Sequence, residues 1–114
     1  MQTIGIVLNV RAEQAAEFEA GFREMELPTW HELRDRGLLR IATLTKLEIS
    51  TVKVEGSIQY LIACIFEDEQ GHHAHDNHPR FAEWNKRADA YQVGEPFVFG
   101  GETIVEAHAG PAAD

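Results

Sequence analysis

Over the first ten residues Ile4, Ile6, Leu8 and Val10 alternate with Thr3, Gly5, Val7 and Asn9. A period of two rich in β-branched residues predicts a strand over Thr3–Val10 with one strongly apolar face. From Arg11-Ala12-Glu13 the period lengthens. Ala15, Phe18, Phe22, Met25, Trp30 and Leu33 follow helical spacing, while Glu13, Glu17, Glu19, Arg23 and Glu24 fall mostly off that stripe. Pro28 has no N–H to donate and its ring clashes with the preceding turn, which predicts a kink or break near Glu26–Pro28. Gly37 suits the left-handed residue that ends the segment.

Leu38–Val54 is rich in Ile, Thr, Leu and Val and reads as a bent strand or a strand plus a turn, with Glu55-Gly56-Ser57 supplying turn chemistry. Ile58–Phe66 is apolar at nearly every position, as a strand covered on both faces would be. Asp68 is placed to cap a helix over the polar stretch 67–78. His78-Pro79 opens another, with proline at its first position and Phe81, Trp84, Ala88 and Tyr91 as its buried stripe. Gly94-Glu95-Pro96 breaks that helix. Phe97–Ala107 then predicts a last strand, with Gly100-Gly101 marking a bulge or a close backbone approach. The order β-α-β-β-α-β is the split βαβ arrangement of an α+β, ferredoxin-like fold with a four-stranded antiparallel sheet. Two helices cover one face of such a sheet. The other face still carries apolar side chains, and a second copy packed sheet to sheet would cover it.

Composition bounds the function. A chain of 114 residues predicts one domain over 1–114, with 109–114 a fraying tail. Ten Lys and Arg against 19 Asp and Glu give a formal charge of −9, which argues against nucleic acid or an anionic membrane as partner. Cys64 is the single cysteine, so no intramolecular disulfide forms, and its apolar surroundings point to packing rather than nucleophilic work. Met1-Gln2-Thr3 lacks the basic start of a signal peptide, and no apolar run approaches the roughly 20 residues that span a bilayer. A soluble cytoplasmic protein is expected.

Four of the six histidines crowd into Gly71-His72-His73-Ala74-His75-Asp76-Asn77-His78. If residues 69–76 are helical, His72 and His75 share a face at i, i+3 and His72 meets Asp76 at i, i+4. An imidazole beside a carboxylate is poised for proton transfer near neutrality. Three roles stay open: a solvated, partly capping segment, one histidine lining a pocket, or a His, His and Asp metal site without a recognised ligand motif. His78 before Pro79 has a capping reading of its own, and His31 and His108 read as surface or structural. Glu17, Glu19, Glu24 and Glu26 read as a solvated acidic face. Trp30, Trp84 and Phe66 are explained by core packing and could equally wall an aromatic-substrate pocket.

The element order, with His75-Asp76-Asn77-His78-Pro79-Arg80-Phe81, Trp84 and Glu95-Pro96-Phe97-Val98-Phe99-Gly100-Gly101-Glu102, resembles the dimeric α/β-barrel superfamily. That group includes antibiotic-biosynthesis monooxygenases, haem-degrading monooxygenases, stress-responsive barrel proteins and small-lactone isomerases, and this version is similar to an uncharacterised subgroup. The resemblance implies a homodimeric barrel with a pocket between sheet and helices in each protomer. Haem-degrading members use an Asn on the first strand, a Trp ending the third and a His in the second helical region. Asn9 matches the first by position, but Phe66 stands where the Trp would be, which argues against haem degradation. The expectation is therefore a monooxygenase or isomerase without a bound cofactor or metal, acting on a small aromatic or polycyclic molecule. In it His75 or His78 is the acid/base, Asn9 orients an oxygen substituent, and Phe66, Trp84, His72 and Trp30 form the ligand site. The alternative is a non-catalytic small-ligand-binding or stress-associated barrel protein.

Overall fold

A computed structural model describes residues 1–107; His108 and the tail expected to fray lie outside the described residues. Four strands, β1 (Gln2–Arg11), β2 (Leu39–Lys46), β3 (Ser57–Phe66) and β4 (Phe97–Glu102), form one antiparallel sheet in the order β2-β3-β1-β4. This is the α+β ferredoxin-like arrangement predicted from the element order. The register places Ile4 opposite Cys64, Ile6 opposite Ile62 and Leu8 opposite Tyr60, so the apolar set of β1 shares one face with alternate residues of β3. That face lies under the helices, where Val10, Phe18, Leu33, Tyr60 and Phe66 are fully buried.

The first helical region departs from a single kinked helix. After a 3-10 turn, α1 (Ala15–Gly21) runs into a π-helical turn over Phe22–Glu26 and then into α2 (Leu27–Asp35). Leu27 N–H donates to Phe22 O, five residues back, just where Pro28 cannot supply the next helical donor. The chain thus accommodates the proline by widening one turn instead of breaking. Gly37 ends the region at φ +75°, the left-handed conformation expected of it.

β2 stops at Lys46, so the Leu38–Val54 segment is a strand followed by a long irregular turn. Leu47 N–H makes a last bond to Gln59 O. The apolar residues beyond find no layer to enter, and Ile49 is 90% exposed.

β4 is shorter than the predicted Phe97–Ala107, ending at Glu102 because β1, its one partner among the described residues, runs out at Gln2. Thr103 N–H takes the final carbonyl, that of Met1. No bulge forms at Gly100-Gly101; the register is continuous, and the alternative expectation, close approach, holds. A Cβ on Gly100 would sit 2.7 Å from Ile4 Cδ1. Past β4 the chain crosses the end of the sheet, where Arg40 on β2 pairs with both Glu106 and Glu67.

The second helical region contains α3 (Glu69–Asp76), capped by the Asp68 carboxylate accepting from Gly71 N–H, and α4 (Pro79–Ala88), followed by a 3-10 turn over Asp89–Tyr91. On the sheet face away from all helices, Leu61, Ala63 and Ile65 are only half-buried, and Ile41, Phe97 and Phe99 are exposed. In the isolated chain, β3 is therefore covered on one face only.

Candidate active site

Between the sheet and the α2–α3–α4 layer lies a cavity of about 200 Å³. Its floor is the β1–β3 face, including Ile4, Ile62 and Cys64. Its walls are aromatic: Trp30 from α2, Phe66 from the end of β3, Phe81 and Trp84 from α4. Trp84 is held from behind by Phe18, Phe22 and Tyr91, whose ring centroids lie 5.8, 6.0 and 6.5 Å away. Gly21 lets α1 come this close, since a Cβ there would be 2.6 Å from the Trp84 ring. At the β4 edge the cavity opens into a shallower depression bordered by Gln2, Val98 and Phe99.

A chain of polar groups enters this apolar space. α3 places His72, His75 and Asp76 at helical spacing, so one face of one helix carries all three. His75 Nε2 lies 3.0 and 3.2 Å from the two carboxylate oxygens of Glu26, and His75 Nδ1 lies 3.0 Å from Asp76 Oδ1. The other Asp76 oxygen is 3.0 Å from His72 Nε2, and His72 Nδ1 is 3.1 Å from Gln2 Oε1. Both His75 nitrogens thus face carboxylates, an arrangement that only the doubly protonated imidazolium satisfies fully. Burial pulls the His75 pKa down, but hydrogen bonding and charge from Glu26, then from Asp76, more than reverse this and hold it above the ordinary histidine value. The Phe66 ring stacks on His72 at 5.6 Å, and Phe81 lies 4.2 Å from the His75 ring, fixing both imidazoles from the apolar side. Cys64 is buried against the cavity, and burial, with the charges of Glu26 and Asp76, pushes its thiol up to about 12. That favours the packing role over a nucleophilic one.

The structure brings together five of the residues singled out from sequence: His75, His72, Phe66, Trp84 and Trp30 all line the cavity. It places Asn9 and His78 elsewhere. Asn9 is buried on the opposite sheet face, where its Oδ1 accepts from Gln59 Nε2 at 2.8 Å. His78 caps α4, its Nδ1 accepting from Arg80 N–H at 3.1 Å while Nε2–H donates to Glu32. Glu26 corrects the reading of a solvated acidic face: it is 3% exposed and reaches His75 across 49 residues of sequence. The signal was present in the sequence, because Phe18, Phe22, Glu26 and Trp30 recur every four residues and put one carboxylate into an apolar stripe. Glu19 is likewise half-buried and accepts from Tyr60 O–H at 2.6 Å. Among the described residues, no three His, Cys, Asp or Glu side chains converge in a way that could hold a metal ion. No helix among them is long and apolar enough to cross a membrane.

No protein-family model matches the chain, and no curated protein is similar to it in sequence. Solved structures do resemble it. A crystal structure of an antibiotic biosynthesis monooxygenase superposes with a TM-score of 0.70 at 14% identity, covering 92% of this chain and 100% of that one. The fold is shared with antibiotic biosynthesis monooxygenases. HapK from Hahella chejuensis gives a TM-score of 0.72 at 16% identity over 97% of this chain and 100% of its own. A dimeric ferredoxin-like protein of unknown function from Jannaschia sp. CCS1 gives 0.70 at 18% identity over 90% and 100%. At such identities the likeness to the monooxygenases is one of architecture, and chemistry has to be argued from the cavity.

Proposed function

We propose that the chain binds a small aromatic molecule in the cavity beneath α3 and α4 and moves a proton on it without a bound cofactor, as an isomerase or as the first step of a cofactor-independent oxygenation. The observation that carries this reading is His75, held between Glu26 and Asp76 at the wall of an aromatic-lined space. General acids and bases are tuned by this kind of arrangement, burial opposed by specific charge partners. With both N–H groups held by Glu26 and Asp76, the His75 imidazolium keeps its protons and places a positive charge at the cavity wall, where it stabilises negative charge developing on a ligand oxygen. Asp76, half exposed and lining the cavity, is placed to take a proton from carbon. Returning that proton to another carbon completes an isomerisation; dioxygen meeting the carbanion would instead start an oxygenation. Drug-sized ligands occupy pockets of about 300–1,000 Å³, so the cavity suits one or two rings rather than a larger polycycle.

The unit we propose is a homodimer. Ile41, Phe97 and Phe99 together expose an apolar sheet face of the kind that oligomers bury. The similar protein from Jannaschia is named as dimeric.

The test is solvent exchange on 2-tetralone, a bicyclic ketone with acidic carbon-bound protons. In D2O the protein is expected to accelerate deuterium uptake, and His75→Gln to lose about a hundredfold of the acceleration, the usual scale of acid–base catalysis. Oxygen consumption in the same mixture separates oxygenase from isomerase. A second reading, binding without turnover, is favoured by one feature: neither His75 nitrogen is free of a carboxylate. It predicts binding of the ketone with no exchange above buffer, and that result would retire the catalytic reading.

A further inference from the structure

The charges around the cavity are lopsided. Its lining includes Glu26, Asp76 and Asp89, yet no Lys or Arg; the depression at its mouth is bordered by Asp76 and likewise by no Lys or Arg. The permanent cations of the chain lie elsewhere. Arg80 donates to Thr29 Oγ1, and the Arg87 guanidinium lies 5.6 Å from the centre of the Trp84 ring with its Nε bonded to Tyr91 Oη. The His75 imidazolium lies between Glu26 and Asp76 but brings one positive charge against three carboxylates, and His72 is bonded to Gln2 and Asp76. The cavity and its mouth therefore carry an excess of negative side chains, with Glu26 buried and Asp76 and Asp89 toward solvent.

We propose that the cavity selects aromatic molecules carrying a protonated amine, taking the ring among Phe66, Phe81 and Trp84 and the ammonium on Asp76 at the mouth. This rests on the aromatic-cavity reading above and adds the ligand's charge class. Asp76 is the natural anchor because it borders both the inner space and the outer depression and is half exposed. A cation bound there keeps part of its hydration while the ring is buried, avoiding the penalty of a fully desolvated charge. Each Asp76 oxygen accepts from one histidine, which leaves a lone pair on each for a further N–H donor. Phe81 at the same mouth offers its ring to the cation. An aromatic carboxylate meets the reverse: three like charges and no guanidinium or ammonium to pair with.

Calorimetric titration with three probes of one shape tests this: 1-naphthylmethylamine, 1-naphthalenemethanol and 1-naphthoate, cationic, neutral and anionic at pH 7.5. The amine is expected to bind about tenfold more tightly than the alcohol, the scale of one partly screened charge pair. The carboxylate is expected to be the weakest. Asp76→Asn should bring the amine-to-alcohol ratio to about two or below. Asp89→Asn, in the 3-10 turn after α4, should lower the same ratio if Asp76→Asn fails to fold. An alcohol that binds as well as the amine, or a carboxylate that binds best, overturns the charge selection and leaves the aromatic cavity standing. If none of the three binds, both readings fall together.

Discussion

Glu26→Gln is the sharpest probe of the buried triad. Glu26 is 3% exposed and His75 9%, so the pair belongs with buried ion pairs, where removing one partner costs about 3–5 kcal/mol. Two features of the structure reduce that figure. The glutamine carbonyl can still accept from His75 Nε2–H, and Asp76 still holds Nδ1 at 3.0 Å. What is lost is the charge on one charge-assisted hydrogen bond, so about 2 kcal/mol is expected at pH 6. The cost depends on pH with a definite sign. Burial disfavours the imidazolium, but Glu26 and Asp76 outweigh it, so folded His75 titrates above its unfolded value of about 6.5. The stabilisation is fully present below that value and is lost as pH rises through the folded pKa. Glu26→Gln should therefore cost about 1 kcal/mol less at pH 9 than at pH 6. Urea unfolding followed by the fluorescence of Trp30 and Trp84, at one protein concentration, measures both. An equal cost at the two pH values, or one below about 0.5 kcal/mol at pH 6, would mean that Glu26 behaves as a surface carboxylate and the triad argument is wrong.

Other expectations follow from single contacts. A Cβ on Gly71 would lie 2.5 Å from the Leu38 carbonyl oxygen, a backbone atom that cannot swing aside, so Gly71→Ala should cost about 3 kcal/mol in urea unfolding. Gly101→Ala, with nothing within 4 Å, should be neutral or stabilise by up to about 1 kcal/mol, and equal costs would refute the steric account. His78→Ala should lose about 1 kcal/mol and His78→Asn should restore most of it; no loss on removing the side chain would deny the cap. Native Cys64 should react with a thiol reagent at pH 8 far more slowly than in urea, and equal rates would contradict its burial and raised pKa. Phe99→Lys should sediment as a monomer at micromolar concentration where the parent sediments as two chains; a monomeric parent would remove the sheet-to-sheet proposal.

Local features were legible where a short-range pattern decides them. The alternation of Ile4, Ile6, Leu8 and Val10, the left-handed turn at Gly37 and the caps at Asp68 and His78 all depend on neighbours a few residues away. The pairing of His72 with Asp76 needs only one helical turn. The partner of His75 is another matter. Glu26 becomes a buried ligand of that ring only because α2 and α3 pack side by side, a choice made by the core and not by either segment alone. Asn9 shows the same limit: its strand was readable, but the face it occupies follows from which side receives the helices. The end of β4 was hidden too, because a strand lasts only as long as its neighbour.

The π-helical turn at Phe22–Glu26 has a consequence for how such a chain can vary. An α-helix advances about 100° per residue, and a turn closed five residues back carries one more residue than its neighbours. Deleting any one residue between Phe22 and Met25 would let the region relax to a plain α-helix and leave the segments on either side in the same rotational phase. Closing the turn four residues back with every residue kept would instead rotate everything after it by roughly that angle, and either Phe18 and Phe22 or Glu26 and Trp30 would swing off the sheet. The carboxylate that meets His75 is therefore specified by the shape of one turn as much as by residue type. A relative one residue shorter here can run as a plain helix and still keep the triad.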